Sequence, residues 1–224
     1  MSMFDRIALQ YDALNGILSL GMDIGWRRAM IQELPAATGL QVLDLATGTA
    51  DVAILLAQDA RVARVVGIDV ADKMLEIGAG KVQKAGLSEK IELRNIDACA
   101  LPFPQACFDV VTVAFGVRNF PDLMRGLMEA RRVLKPGGRF LVLEFSAPQN
   151  PILKPFHAVY LHGIVPFLGG FLARDLKAYQ YLSRTIRMFP YGEQFSRILK
   201  QVGFTIVSRV ELALGAVTMY RASL

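Results

Sequence analysis

The stretch "VLDLATGTADVA", residues 42–53, decides how the rest of the chain is read. An apolar run ending at Asp44 and Leu45 has the composition of a strand buried on both faces. "ATGTA" follows, small enough for a ligand to approach the backbone, and "DVAILLAQ" then takes up a helical pattern. A strand, a tight small-residue loop and a helix together place backbone N–H groups at a helix mouth, a geometry that receives nucleotides and similar anions. The dinucleotide signature GxGxxG is not met, because Gly48 is the sole glycine in this window. The spacing is instead an acidic residue, three residues, then glycine, which disfavours a nicotinamide dehydrogenase.

Outward from this loop, short apolar runs alternate with helical patterns. Strands are expected at 41–45, 65–69, 91–95, 109–114 and 139–144, with helices at 51–58, 71–85 and 121–133 between them. That alternation predicts a Rossmann-like α/β fold, with a mostly parallel seven-stranded sheet and helices on both faces. "LKPGG" at 134–138 reads as a helix stop. "FTIVSRVEL" and "AVTMYRAS", joined through Gly215, are too close for another crossover and predict a C-terminal antiparallel hairpin. The organisation expected is one domain over 1–224. It comprises an N-terminal helical cap (1–40), a cofactor-binding core (41–145), a substrate-side insertion (146–191) and a C-terminal helix with a strand pair (192–224).

Composition narrows the function. The chain has 224 residues, 53% of them hydrophobic, enough to fill the core of one such domain. Its formal charge is +5, yet no Lys/Arg cluster is interleaved with aromatics, so nucleic acid is not the expected partner. Cys99 and Cys107 have neither metal-ligand nor CxxC spacing and fit a reducing, cytoplasmic setting. The N-terminal "MSMFDRIALQYD" lacks the apolar run of a signal peptide. The segment 152–173 is long and apolar, but Lys154, His157 and His162 interrupt it and Pro155, Pro166 and Gly169-Gly170 break it. It is expected to lie on an apolar surface rather than cross a membrane.

Three strand ends carry candidate ligand contacts. Asp44 with Ala46 and Gly48 forms the first. Asp69, at the end of "VVGIDV" with Val70 beside it, can accept hydrogen bonds from both hydroxyls of a ribose; capping the next helix is its alternative role. In "NIDACALPFP", Asp97 can accept from an adenine amino group while the Ala98 N–H donates to the neighbouring ring nitrogen. Converging at one edge of the sheet, these residues predict a nucleoside site.

At this point the chain resembles a known family. The glycine spacing resembles motif I of S-adenosylmethionine-dependent methyltransferases. "FDRIALQYDALNGILSLGMDIGWRR", "LPFPQACFDVVTVAFGVRNFPD", "RVLKPGGRFLVLEFS" and "YQYLSRTIRMFP" resemble the UbiE/MenG-type quinone C-methyltransferases over nearly the whole chain. The resemblance implies methylation of a ring carbon of a polyprenylated quinol, in the menaquinone or ubiquinone pathway, with S-adenosylmethionine as donor and no metal. It also implies a peripheral position at the membrane and leaves a homodimer open. The family usually has "GTGD" where this chain has "GTAD", so Ala50 replaces a glycine. Ala53 and Ala114 stand where a hydroxyl-bearing residue that contacts the cofactor is common.

The resemblance implies a catalytic role for Arg118 and Asn119 in "FGVRN". A guanidinium stays protonated, so Arg118 is expected to stabilise a phenolate or orient a water rather than act as a base. Tying a loop to a carboxylate is its alternative role. Tyr11 and Asp12 are expected to cover the cofactor, with Asp12 a candidate base; packing and helix capping would explain them equally. His157, Tyr179, Tyr181 and Arg187 are candidates for the ring pocket, and His157 and His162, five apart, do not read as a metal pair. Competing functions are methylation of another hydrophobic phenol and a non-catalytic binding protein that keeps the fold.

Overall fold

The opening stretch forms β1 (Leu40–Leu45), whose side chains are buried at all but one position. A strand covered on both faces belongs at the centre of a parallel sheet, and β1 lies between two parallel neighbours, β2 (Val62–Asp69) and β4 (Phe108–Ala114). The computed structural model describes residues 21–148 and 184–224, with the single positions Ala8, Gly16, Ser19, Asn150, Ile152, Pro155 and Tyr181.

β3 (Ile91–Asn95) pairs in parallel with β2, and β5 (Leu134–Phe145) with β4. β6 (Ile206–Leu212) and β7 (Val217–Ser223) are antiparallel to one another, and β7 docks antiparallel on β5. The sheet therefore has seven strands in the order β3-β2-β1-β4-β5-β7-β6, as the alternation of patterns and the short link through Gly215 predict. The order in which successive strands are added across the sheet reverses between β1 and β4. Open α/β sheets bind ligands over the carboxyl ends of the strands at such a switch point.

Successive side chains of a strand leave opposite faces, and the core divides accordingly. On one face Val42, Val65, Leu141 and Leu143 pack with Met30 and Ile31 of α1 (Met22–Gln32), Leu56 of α2 (Asp51–Gln58) and Val82 of α3 (Asp72–Lys84). On the other, Leu43, Ile68, Val113 and Phe140 pack with Leu127 of α4 (Leu123–Val133) and with Phe195 and Leu199 of α5 (Glu193–Val202).

Several boundaries differ from expectation for local reasons. Helix α4 begins at Leu123 rather than 121, because Asp122 has extended backbone and its side chain caps the helix by accepting from the Arg125 N–H at 3.0 Å. β5 begins at Leu134 rather than 139. Leu134 already pairs with Phe108, residues 135–138 form a bulge, and the ladder resumes with Arg139 opposite Val110. Gly137 turns the bulge at φ 75°. The "LKPGG" stop thus ends the helix and starts the strand together.

Candidate functional site

The loop after β1 is fixed from below. Asp44 is buried, and its two carboxylate oxygens accept from the Thr112 and Thr47 hydroxyls, each at 2.6 Å. Burial pushes its pKa up to about 6 against the lowering effect of those hydroxyls. Thr47 also donates its N–H to the Ile68 carbonyl at 2.9 Å. Its side chain sits against Gly67, where a Cβ would stand 2.9 Å from Thr47 Oγ1.

The chain then takes three left-handed positions in five residues: Ala46 at φ 50°, Gly48 at 56° and Ala50 at 65°. Glycine adopts that conformation freely, whereas each alanine costs about 1–2 kcal/mol. Ala50 is the N-cap of α2 and offers no side-chain cap. The alanine at this "GTAD" position therefore does carry backbone strain. Its Cβ is accommodated by Gly78 of α3, where a methyl would stand 3.2 Å from Ala50 Cβ.

Above the switch point lies a cleft partly open to solvent, at the place where open α/β sheets receive ligands. Each strand end contributes to it: Ala46 and Gly48 after β1, Asp69 and Val70 after β2, Asp97 and Ala98 after β3, and Ala114 and Gly116 at β4. Of these, Asp69 accepts at 2.9 Å from the Gly48 N–H through Oδ2 and from the Ala71 N–H through Oδ1. It shapes the turn into α3 and braces the β1 loop, and an acceptor-only carboxylate suits ribose hydroxyls. Asp97 accepts from the Cys99 N–H at 2.8 Å, which holds the turn carrying Ala98. A Cβ on Gly116 would stand 2.5 Å from that of Ala46, so the loops after β1 and β4 meet only because this position is glycine.

The β4 end is itself unusual. Phe115 has φ 56°, a costly conformation for a bulky residue. It is held by its N–H to the Leu143 carbonyl at 2.7 Å and by ring contacts with Phe145 (4.6 Å) and Trp26 (6.2 Å). The strain turns the chain into a short 3₁₀ turn, Val117–Asn119. Asn119 and Phe120 line the cleft, and Gly126 of α4 leaves room for the Phe120 ring. Arg118 points into the protein. Its Nη1 donates to Glu144 Oε1 at 2.6 Å and to the Phe115 carbonyl, with side-chain exposures of 5% for Arg118 and 0% for Glu144.

The sequence candidates thus sort by position. Ala46, Gly48, Asp69, Val70, Asp97, Ala98, Ala114 and Asn119 share the cleft. Asp44 supports the loop from beneath, and Ala53 is packed in the core beside α1. Tyr181 Oη meets Asn119 Oδ1 at 3.3 Å, while Arg187 is exposed and does not line the cleft. Tyr11, Asp12, His157 and Tyr179 lie outside the described residues. Sequence reasoning did not find Glu144 or Phe115. A lone acid within the apolar run "FLVLEF" was the available signal for the first, since buried carboxylates are nearly always paired. Among the described residues no group of three or more His, Cys, Asp or Glu side chains converges on a point.

A sheet of this order, with small-residue loops, a carboxylate at the end of β2 and an Asp-Ala pair around one cleft, defines a Rossmann-like S-adenosylmethionine-dependent methyltransferase. A solved structure similar in fold is a putative S-adenosyl-L-methionine-dependent methyltransferase from Methanococcus maripaludis (TM-score 0.71, 17% identity, covering 100% of this chain and 94% of that one). The model of the ubiE/COQ5 methyltransferase family matches residues 1–223, and the chain belongs to that family. Its relatives include the demethylmenaquinone methyltransferase of Bacteroides fragilis, 43% identical over 99% of this chain and 90% of the relative. The demethylmenaquinone methyltransferase of Thermus thermophilus is 42% identical over 91% and 92%.

Proposed function

We propose that this chain methylates a ring carbon of a polyprenylated quinol, converting a demethylmenaquinol to a menaquinol or acting on the corresponding benzoquinol. The observation that carries the reading is the family match across residues 1–223. S-adenosylmethionine, when bound, supplies an electrophilic methyl group on a sulfonium. The residues suit it: Asp69 for the ribose hydroxyls, Asp97 and the Ala98 N–H for the adenine edge, and Ala46, Gly48 and Gly116 for close backbone approach.

The remaining work falls to groups around the ring. A quinol carbon is nucleophilic when a ring hydroxyl donates electron density, most strongly as a phenolate. Asn119, in the cleft wall and within reach of Tyr181, orients the ring or a water beside it. Arg118, one residue earlier, supplies positive charge near the developing phenolate. Its tie to Glu144 gives the loop-bracing role anticipated for it, and the same tie fixes where that charge sits. Phe115 and Phe120 give the cleft an apolar wall that excludes water. Tyr11, Asp12, His157 and Tyr179 complete this reading as residues that cover the cofactor or face the ring.

A polyprenyl tail stays in lipid, so the enzyme works at the cytoplasmic membrane surface. No helix among the described residues is long and apolar enough to cross a membrane. The apolar stretch 152–173, with Lys154 near its start and Arg174 and Lys177 just after it, suits shallow, reversible attachment. Co-sedimentation with anionic vesicles should fall as salt rises; no association under any lipid or salt condition would remove the membrane from the proposal. The reaction is tested with labelled S-adenosylmethionine and both reduced ring types, with mass detection of the product. Methylated naphthoquinol or benzoquinol is expected, and methylation of neither would overturn the assignment.

A further inference from the structure

Glu144 is the penultimate residue of β5, in an otherwise apolar stretch, and is fully buried. Its Oε1 accepts from Arg118 Nη1 at 2.6 Å and from the Phe145 N–H at 2.8 Å, and its Oε2 accepts from the Arg118 N–H at 3.4 Å. The Phe115 carbonyl takes a second bond from the same Nη1, and the Arg118 guanidinium carbon lies 5.2 Å from the centre of the Phe145 ring. One guanidinium is therefore held by a carboxylate, a carbonyl and an aromatic face.

Stability alone is a poor reason for this arrangement. Withdrawing two charges from water costs about as much as their attraction returns, and apolar side chains of similar volume often serve a core equally well or better. The hydrogen bonding is also lopsided. Nη1 has two acceptors, while Arg118 Nε is buried with no acceptor among the described residues. Phe115, Gly116 and Asn119, on either side of Arg118 in the chain, line the cleft.

We propose that Glu144 is a positioning residue for ring methylation: through its bonds to the Arg118 N–H and Nη1 it fixes the Val117–Asn119 turn, so that Asn119 in the cleft wall meets the ring in a single orientation. The proposal rests on the quinol-methylating reading of the site. Glu144 itself touches neither ring nor donor. It acts by holding Arg118, and with it the turn that carries Asn119, which matters because a displacement of the order of 1 Å at a group that orients the ring can cost about 10²-fold in rate.

The test is a kinetic cycle in the full chain, using Glu144→Gln, Arg118→Lys and the double variant, with dissociation constants for S-adenosylmethionine and melting temperatures measured alongside. Glu144→Gln should lower kcat by about tenfold to 10²-fold while the S-adenosylmethionine Kd and the quinol KM stay within about twofold. In the Arg118→Lys background the same change should have little further effect on kcat, since Glu144 acts mainly through that guanidinium. Glu144→Asp, which keeps the charge but shortens the reach, serves if Glu144→Gln does not fold; it too should lower kcat selectively. A folded Glu144→Gln or Glu144→Asp protein with parental kcat would overturn the proposal, as would an equal loss of kcat with and without Arg118. A parent protein that methylates neither ring would instead overturn the reading on which it rests.

Discussion

Gly48 donates its backbone N–H to Asp69 Oδ2 at 2.9 Å, joining the loop after β1 to the carboxylate at the end of β2. The group assigned to the ribose and the loop that must approach the cofactor closely are therefore one mechanical unit. Asp69→Ala should weaken S-adenosylmethionine binding by about tenfold or more, since hydrogen bonds to a charged acceptor contribute about 1.5–3 kcal/mol each. Titration calorimetry checks this. Asp69→Asn should lose less, because its remaining oxygen can still accept from Gly48.

Ala50 and Gly78 should be energetically coupled. Gly78→Ala gains helix propensity of about 1 kcal/mol but places a methyl 3.2 Å from Ala50 Cβ and from the Thr49 backbone. Gly78→Ala alone should destabilise, and Ala50→Gly should recover part of that loss. The expected interaction energy is at least about 0.5 kcal/mol, read from urea unfolding of both single variants and the double. Simple additivity would show that the Ala50 methyl does not occupy the space left at Gly78.

Removing Arg118 should cost stability as well as turnover. Arg118→Ala leaves the fully buried Glu144 without its counter-charge, a change that typically costs about 3–5 kcal/mol. Denaturant midpoints should fall accordingly. S-adenosylmethionine affinity, measured on the remaining folded fraction, should change little, because Arg118 does not line the cleft.

Asp44 predicts a pH signature. Its folded-state pKa is about 6, raised from 3.8 chiefly by burial. Between these values the native state holds a proton that the unfolded chain has released, so this residue's contribution favours folding at pH 4 and is lost as pH rises through 6. The span corresponds to on the order of 3 kcal/mol. Asp44→Asn should remove it: relative to the parent, the variant should gain stability as pH rises from 4 to 7, measured by urea unfolding at each pH. A constant difference across that range would mean that Asp44 does not change protonation there.

The sequence carried the parts of this molecule that depend on local pattern. Apolar runs and glycine-rich breaks located the parallel strands and the terminal hairpin, and the acids after β2 and β3 could be named because they follow strands directly. What escaped depends on contacts distant in sequence. Glu144 is 26 positions from Arg118, and no periodicity links them. The left-handed Phe115 could not be anticipated, because nothing in "VAFGVRN" marks a bulky residue for that conformation. It survives by packing against Phe145 and Trp26. The substitution of alanine at 50 was visible, but its accommodation by Gly78 belongs to a helix 28 residues onward.

The meeting of Ala46 with Gly116 divides the cleft into two halves of separate ancestry along the chain. Residues assigned to the methyl donor come from the ends of β1, β2 and β3, with Ala114 and Gly116 of the β4 end at the boundary, while Phe115, Asn119 and Phe120 follow β4 and Glu144 lies near the end of β5. The halves meet where the β1 and β4 loops touch, with no room for a methyl at Gly116. Retooling the enzyme for a bulkier acceptor ring and retooling it for a donor analogue are thus separable engineering problems. A library confined to 119 and 120 would explore acceptors on an unchanged donor platform, since position 116 has no room for a Cβ and Arg118 must stay paired with Glu144.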